Sequence, residues 1–421
     1  MEKYSTYKPT SMQWLTEIPS HWEEKKMKYC FSERSEKNHP DEPVLCATQS
    51  QGVIPQSMYA NRVVVVNKGF EGLKLVKEGD FVISLRSFEG GIEYAYYQGI
   101  ISAAYTVLQP NNPQFSYYWK YLFKSQSYIQ LLQMCVTGIR EGQNINYPML
   151  SRAFVPLPPL AEQEKIVSYL DRKTSKIDAY VADKEKEIQL LQELKQKTIS
   201  EVVTKGLNPN VKMKDSGISW LGMIPEHWEM RKLSQVSYEH FISNKNIHHQ
   251  NLLSLSYGRI IRKDINKTDG LLPASFDTYQ IVEDGNIVLR LTDLQNDQKS
   301  LRVGLVKEEG IVTSAYVCLG VYDSMIPAYL YNILHSYDIK KLFYSMGGGI
   351  RQGLNWQGLK KLEIPLPPID EQRAIVAYID DKCQKIDTLI NELQAEIDHL
   401  KEYKQRLIAD VVTGQVNVQN I

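Results

Sequence analysis

The chain has 421 residues, with 49 Lys plus Arg against 49 Asp plus Glu, so its formal charge is zero. That length allows two or three domains, each able to bury a core of its own. The neutral balance excludes a surface that is basic throughout, so any charge meant for a polyanion must be local or supplied by partners.

Five scattered cysteines, Cys30, Cys46, Cys135, Cys318 and Cys383, include no close pair, which argues against a zinc site or a disulfide framework. No apolar run reaches the roughly 18 residues of a membrane helix, and Met1-Glu2-Lys3-Tyr4 does not open a signal peptide. The cytoplasm is the expected location.

In chain order, the first distinctive segment is Trp14-Leu15 followed by Ile18-Pro19-Ser20-His21-Trp22. Short β-branched and aromatic runs follow at Val63–Val66, Phe81–Leu85 and Ile100–Leu108; bounded by Gly, Asn and Asp, they predict strands. A helical stretch spans Tyr117 to Leu132, then a Gly-rich loop Gly138-Ile139-Arg140-Glu141-Gly142, then Pro156-Leu157-Pro158-Pro159. From Leu160 to Lys205 there is no Gly or Pro, and the Pro-Pro pair just ahead is a helix-start signal.

The series then repeats. Trp220-Leu221 and Ile224-Pro225-Glu226-His227-Trp228 return 206 residues later. Strand-like runs lie at Ile281–Leu291 and Ile311–Leu319, and a helical stretch from Ala328 to Phe343. Gly349-Ile350-Arg351-Gln352-Gly353 precedes Pro365-Leu366-Pro367-Pro368 and a second Gly- and Pro-free stretch, Ile369–Thr413. An internal duplication covers about half the chain per copy.

The two long stretches carry heptad seams. The second places Ile379, Ile386, Leu393, Leu400 and Leu407 on one row and Ile390 and Ile397 on the interleaved row; the first carries Leu170, Ile177 and Leu191 with Val181 and Ile188. Two seams on one chain predict helices that pair with each other, each about 65–70 Å long.

His21 and His227 sit between Pro and Trp without evident partners, which predicts a repeated structural corner with each Trp buried and its N–H bonded. Candidate nucleic-acid contacts cluster around the Gly-rich loops: Arg140, Gln143, Asn144 and Asn146 in the first copy, Arg351, Gln352 and Asn355 in the second. Arg matches guanine edges and Asn or Gln adenine edges in the major groove. Gly-Ile-Arg-x-Gly is shared by both copies, so its Arg suits phosphate, while the residues that differ after it suit base reading. Arg86 and Arg290, near the ends of corresponding strands, are further candidates; Arg62, Lys68, Lys74, Lys299 and Arg302 read as ordinary solvated charges.

On these residues the chain resembles the specificity (S) subunit of Type I restriction–modification systems. The carriers are the two Ile-Pro-x-His-Trp blocks, the two Pro-Leu-Pro-Pro blocks with Glu162-Gln163 and Glu371-Gln372, and helices ending Val202-Val203-Thr204-Lys205-Gly206 and Val411-Val412-Thr413-Gly414. The resemblance implies an α/β (α+β) fold: two similar target recognition domains separated by two long antiparallel coiled-coil helices, a pseudo-two-fold duplication. It divides the chain into recognition domains 1–159 and 206–368, spacer helices 160–205 and 369–414, and a tail 415–421.

It also implies that each domain reads half of a split sequence on double-stranded DNA, and that the helices set the gap and hold two methyltransferase subunits. S-adenosylmethionine would be bound by those subunits, and ATP and Mg by restriction subunits where present. The chain itself would then be no enzyme. Both Pro-Pro pairs lie between Leu and Leu or Ile, unlike the Pro-Pro-aromatic segment of an amino-methyltransferase, and there is no Gly-x4-Gly-Lys-Ser/Thr phosphate loop. Two other readings remain: a scaffold or regulatory copy that binds methyltransferase subunits without reading DNA, and a specificity module of another methylation-based defence system.

Overall fold

A computed structural model describes residues 2–60, 69–137, 144–246, 249–264, 275–294, 301–346 and 353–419. The chain divides into two compact units, Met1–Glu185 with Gln394–Ile421, and Lys186–Leu393. This boundary differs from the one expected at the Pro-Pro pairs, because it cuts both long helices. Each recognition domain takes with it the start of the helix that follows it and the end of the other.

The first unit is built on a four-stranded antiparallel sheet in the spatial order Phe31–Arg34, Thr106–Pro110, Phe81–Ile83, Glu93–Tyr94. The second repeats it with Ser237–Glu239, Val317–Val321, Ile287–Leu289, Val303–Leu305. Registers correspond: Val82 faces Val107 and Val288 faces Cys318. Both faces of the inner strands Phe81–Ile83 and Ile287–Leu289 are buried, so their sequences read as continuous apolar runs and not as alternation. The long runs expected at Ile100–Leu108 and Ile281–Leu291 are each two strands broken by a turn: Gly99–Ile101 and Thr106–Pro110 in one unit, Gln280–Val282 and Ile287–Leu289 in the other. The run Val63–Val66 lies outside the described residues.

The helical stretches also split. Ser116–Leu122 and Gln126–Met134 are separated by a break capped by Ser125, whose side chain accepts from the Tyr128 N–H. The corresponding helix Pro327–Ile339 runs unbroken. In each unit a tyrosine on this element reaches across to the long-helix end. Tyr118 OH donates to the carbonyls of Pro156 and Val412, and Tyr329 OH to those of Pro365 and Val203. That shared pair fixes the structural equivalence of the two copies.

The long helices span Leu160–Lys205 and Ile369–Val412. Within the first unit they run antiparallel, with Asp178 paired to Lys404 and Glu185 to Lys401. In the second, Lys195 Nζ lies 2.7 Å from both Asp387 oxygens. Of the seam residues, Leu170, Val181, Ile379, Ile386, Leu393, Ile397 and Leu407 are buried, and Ile177, Ile188, Leu191, Ile390 and Leu400 half-buried. Leu170 and Leu407 join the core of the first domain, Ile379 that of the second. Helix and domain therefore share one core in each unit. Among the described residues no helix is long and apolar enough to cross a membrane.

The Ile-Pro-x-His-Trp corners sit on the helix ends. Trp22 and Trp228 are wholly buried. Each helix closes on a left-handed glycine, Gly206 (φ 73°) or Gly414 (φ 76°), the usual residue for that cap because it has no Cβ to clash. His227 Nε2 and the Trp228 N–H both reach Glu371 Oε2, at 2.8 and 3.0 Å. The expected bonding of both Trp N–H groups fails in the other copy. There His21 takes Glu162 Oε2 at 2.8 Å and Tyr4 OH takes Oε1, leaving the Trp22 N–H without a partner. The motif residues Gln163 and Gln372 donate to the Pro158 and Pro367 carbonyls at 2.8 and 3.0 Å, tying the start of each helix.

Candidate nucleic-acid interface

Among the described residues, the candidates lie in loops that flank the four-stranded sheets. In the second unit, strand Ile287–Leu289 runs out into Arg290, Leu291, Thr292 and Asp293. Asp293 adopts a left-handed conformation (φ 57°), which Asp tolerates better than most residues. Arg302 holds this segment in place. It was expected to be solvated but is wholly buried. Its guanidinium donates to the carbonyls of Arg290 (3.1 Å), Thr292 (2.9 Å) and Asp293 (3.3 Å) and to Tyr344 OH (3.0 Å). Its backbone N–H donates to Asp338 Oδ2 at 2.5 Å. A buried guanidinium persists only when its donors are satisfied, and here three loop carbonyls do most of that.

Facing this segment is the turn before Val317–Val321. Gln280, almost wholly buried, donates to the carbonyls of Thr313 (3.2 Å) and Tyr316 (2.7 Å) and fixes the turn. The Leu354 N–H donates to the Leu291 carbonyl at 2.9 Å, bringing in the segment that follows the second Gly-rich loop. Together they enclose an open cavity of about 540 Å³, lined by Phe241, Thr292, Ser314, Tyr316, Leu354 and Asn355. Phe241 is 61% exposed at its edge. Cys318 also lines the cavity, and burial pushes its thiol up to about 12. It is a protonated wall residue and no nucleophile at neutral pH.

In the first unit the strand Phe81–Ile83 runs out into exposed Leu85 and Arg86, and Arg86 begins a one-turn helix Ser87–Gly90. The first Gly-rich loop connects Val136–Thr137 to Asn144–Ile145, which pair antiparallel with Thr137 opposite Asn144. Arg140, Gln143, Arg351 and Gln352 lie outside the described residues, as do Arg62, Lys68 and Lys299. Asn144 is exposed, and Arg290 is half-buried with its backbone N–H on the Arg302 carbonyl at 2.9 Å. Lys74 is also less free than expected, donating to the Tyr105 carbonyl at 2.8 Å.

Asn146 and Asn355 turn out to be structural equivalents with a local task. Each caps a one-turn helix, Tyr147–Leu150 or Trp356–Leu359, through Oδ1, which accepts from Met149 N–H at 3.0 Å or Gly358 N–H at 3.2 Å. The cap engages one lone pair of Oδ1, so a bidentate adenine contact has to use the other lone pair together with Nδ2 while the cap holds.

A family model, the Type I restriction modification DNA specificity domain, matches residues 21–190 and 302–399, more than half of the chain. The chain belongs to this family. Its function is that of a DNA sequence-specificity subunit. It is 25% identical over 365 residues to the Type I restriction enzyme MjaVIII specificity subunit of Methanocaldococcus jannaschii, covering 82% of this chain and 81% of that one. It is also 25% identical to the EcoBI specificity subunit of Escherichia coli over 296 residues, covering 64% and 60%. The fold matches a chain from a study of complex assembly and conformational transition in the type I R-M system, with a TM-score of 0.67, 16% identity and coverage of 95% and 99%. Among the described residues of this specificity subunit, no group of three or more His, Cys, Asp or Glu could hold a metal ion.

Proposed function

We propose that each unit reads one half of a two-part DNA target while the long helices set the spacing between the halves and bind two methyltransferase subunits. The observation that carries this reading is the element-by-element repetition of two domains, each closed around its own core. Their reading loops differ in sequence while their frames correspond. Adenine-N6 methylation, with S-adenosylmethionine, belongs to the methyltransferase subunits, and ATP- and Mg-dependent cleavage to restriction subunits that join them. The chain supplies address and scaffold. The absence from its sequence of a Gly-x4-Gly-Lys-Ser/Thr loop and of a Pro-Pro-aromatic segment supports this division.

The test is an exchange of residues 23–154 for the equivalent region of another specificity subunit, with the methylated motif mapped in cells. One half of the motif should change and the other stay. A change in both halves would sink the modular reading. The spacer role has its own test, a seven-residue insertion after Leu194. It keeps the seam in register and adds about 10 Å of helix, at most roughly three base pairs of gap at about 3.4 Å each. The half-sites should be unchanged. An active complex with an unaltered gap would show that the helices are not the spacer.

A further inference from the structure

The neutral charge of the chain leaves open which groups meet the DNA backbone. The duplication helps, because two domains that read different bases still meet the same phosphates. Residues for phosphate should therefore correspond between the units, and residues for bases should not.

One surface meets that condition. In each unit the strand after the Trp corner pairs with the strand that leads into the long helix: Glu23–Lys26 with Phe154–Leu157, and Glu229–Lys232 with Glu363–Leu366. Lys26 faces Phe154 and Lys232 faces Glu363. Beyond the strands the same two backbone bonds recur. The Met27 N–H donates to the Ala153 carbonyl at 3.0 Å, and the Leu233 N–H to Leu362 at 2.7 Å. The Lys28 N–H donates to the Ser151 carbonyl at 2.9 Å, and the Ser234 N–H to Lys360 at 3.1 Å.

Counted from these bonds, Lys26 corresponds to Lys232 and Arg152 to Lys361. At the last bond the residues are exchanged: Lys28 opposite Ser151 in one unit, Ser234 opposite Lys360 in the other. The cation stays at one place on the surface but is carried by opposite segments. Each unit therefore presents three cations from two distant parts of the chain. All six are exposed or half-buried, and none forms an ion pair with a described carboxylate. Lys26 and Lys28 lie over the rings of Phe154 and Tyr29, at 5.1 and 5.0 Å from the centroids. In both units the patch directly follows the one-turn helix capped by Asn146 or Asn355.

We infer that Lys26, Lys28 and Arg152, and Lys232, Lys360 and Lys361, form a corresponding pair of phosphate-contact surfaces that position each domain on duplex DNA without reading sequence. Like charges held together repel, so their retention at one place from alternating segments points to a polyanionic partner. The first patch is the stronger, because Lys232 faces Glu363 across its strand pair while Lys26 faces Phe154. The inference rests on the proposed DNA reading.

The experiment uses the full chain assembled with its methyltransferase subunits. Two fluorescent duplexes serve as probes, one carrying the motif mapped from methylated adenines and one of random sequence. Triple glutamine variants replace each patch (K26Q/K28Q/R152Q and K232Q/K360Q/K361Q). Both duplexes should lose affinity together, the methylated motif should not change, and the slope of log affinity against log salt should fall by about 0.9 per lost contact. The drop should be larger for the first patch. Unchanged affinity and slope would overturn the inference. So would variants that fail to co-purify with methyltransferase subunits but keep the wild-type slope in whatever assembles, since the patches would then be protein-docking surfaces. A wild-type complex that does not prefer the motif over random sequence would instead count against the DNA-reading proposal.

Discussion

At one corresponding place the two units solve the same packing problem with opposite chemistry. Each must join the edge strand of its sheet to the helix beside it. In the first unit, buried Glu93 on the edge strand meets Lys124 at 2.5 Å, and Lys124 also donates to the carbonyls of Gln49 and Gly90. In the second, the register match of Val82–Glu93 with Val288–Gly304 puts a glycine where Glu93 stands. A Cβ on Gly304 would come within 2.6 Å of Leu255 and 2.8 Å of Ile260. Counting from Tyr118 and Tyr329, Lys124 is replaced by His335. The polar join moves to Arg302 and Asp338. The frame tolerates either arrangement, so long as buried donors and acceptors meet. What differs is what the join holds: Lys124 ties the carbonyls of Gln49 and Gly90 beside the helix that Arg86 begins, while Arg302 ties three successive carbonyls of the loop that lines the second unit's cavity.

That difference can be broken directly. Arg302→Ala removes the wholly buried guanidinium that holds the carbonyls of Arg290, Thr292 and Asp293 and should cost about 3–5 kcal/mol, at roughly 1–3 kcal/mol for each group left poorly satisfied. It should also abolish recognition of the second half-site before the first is affected. Lys124→Ala frees the Gly90 carbonyl, at the end of the one-turn helix that Arg86 begins, and removes the partner of Glu93, so it should destabilise the first unit and weaken recognition of the first half-site alone. The checks are chemical denaturation of the full chain and mapping of the methylated motif. Loss of the first half-site on Arg302→Ala would show that the loop clamp is not local to its unit.

The helix-end glycines sharpen the comparison at smaller cost. Both are left-handed, which costs an L residue about 1–2 kcal/mol. A Cβ on Gly414 would also lie 2.4 Å from Pro19 Cδ, within a rigid ring, whereas one on Gly206 would meet Glu371 Oε1 at 3.0 Å and Trp228 Cζ2 at 3.1 Å, contacts that a shift of a few tenths of an ångström relieves. Gly414→Ala should therefore cost about 2–4 kcal/mol, counting overpacking, and Gly206→Ala nearer to the backbone cost alone. Equal losses in thermal denaturation would mean that the corner repacks freely around Pro19.

The frame of this protein was legible because duplication wrote it twice. The Trp corners, Pro-Pro helix starts and heptad seams each depend on local pattern, and two copies in one order leave few alternatives. The loops were less legible for physical reasons. Arg302 reads as a surface charge until three carbonyls converge on it, and no periodicity marks that convergence. Asn146 and Asn355 read as base contacts because they follow the Gly-rich loops. Their spacing of three residues to the N–H each one caps was an available signal. The Lys28–Ser151 and Ser234–Lys360 exchange is invisible to an alignment of the copies, since each position pairs a cation with a serine. Only the backbone bond shows that the charge is retained.

The most gradual effect is one of pH, and it should separate the units by sign. Burial raises the Glu93 carboxyl from 4.5 to about 7, with Lys124 pulling back only in part. A carboxyl that binds its proton more tightly when folded stabilises the fold below its unfolded pKa and loses that contribution as pH rises through about 7. Burial, reinforced by Lys195, lowers the His335 imidazole from 6.5 to about 4. A base held neutral contributes its full stability above 6.5 and loses it as pH falls toward 4. Between about pH 6.5 and 4.5, acidification should therefore stabilise the first unit and destabilise the second, each by up to about 1.4 kcal/mol per pH unit. Hydrogen exchange of the full chain, resolved by peptide, reads the units separately. Glu93→Gln should flatten the response around the first edge strand, and His335→Gln the response around the Pro327–Ile339 helix. Parallel pH responses in the wild type would show that neither buried group governs the stability of its own unit.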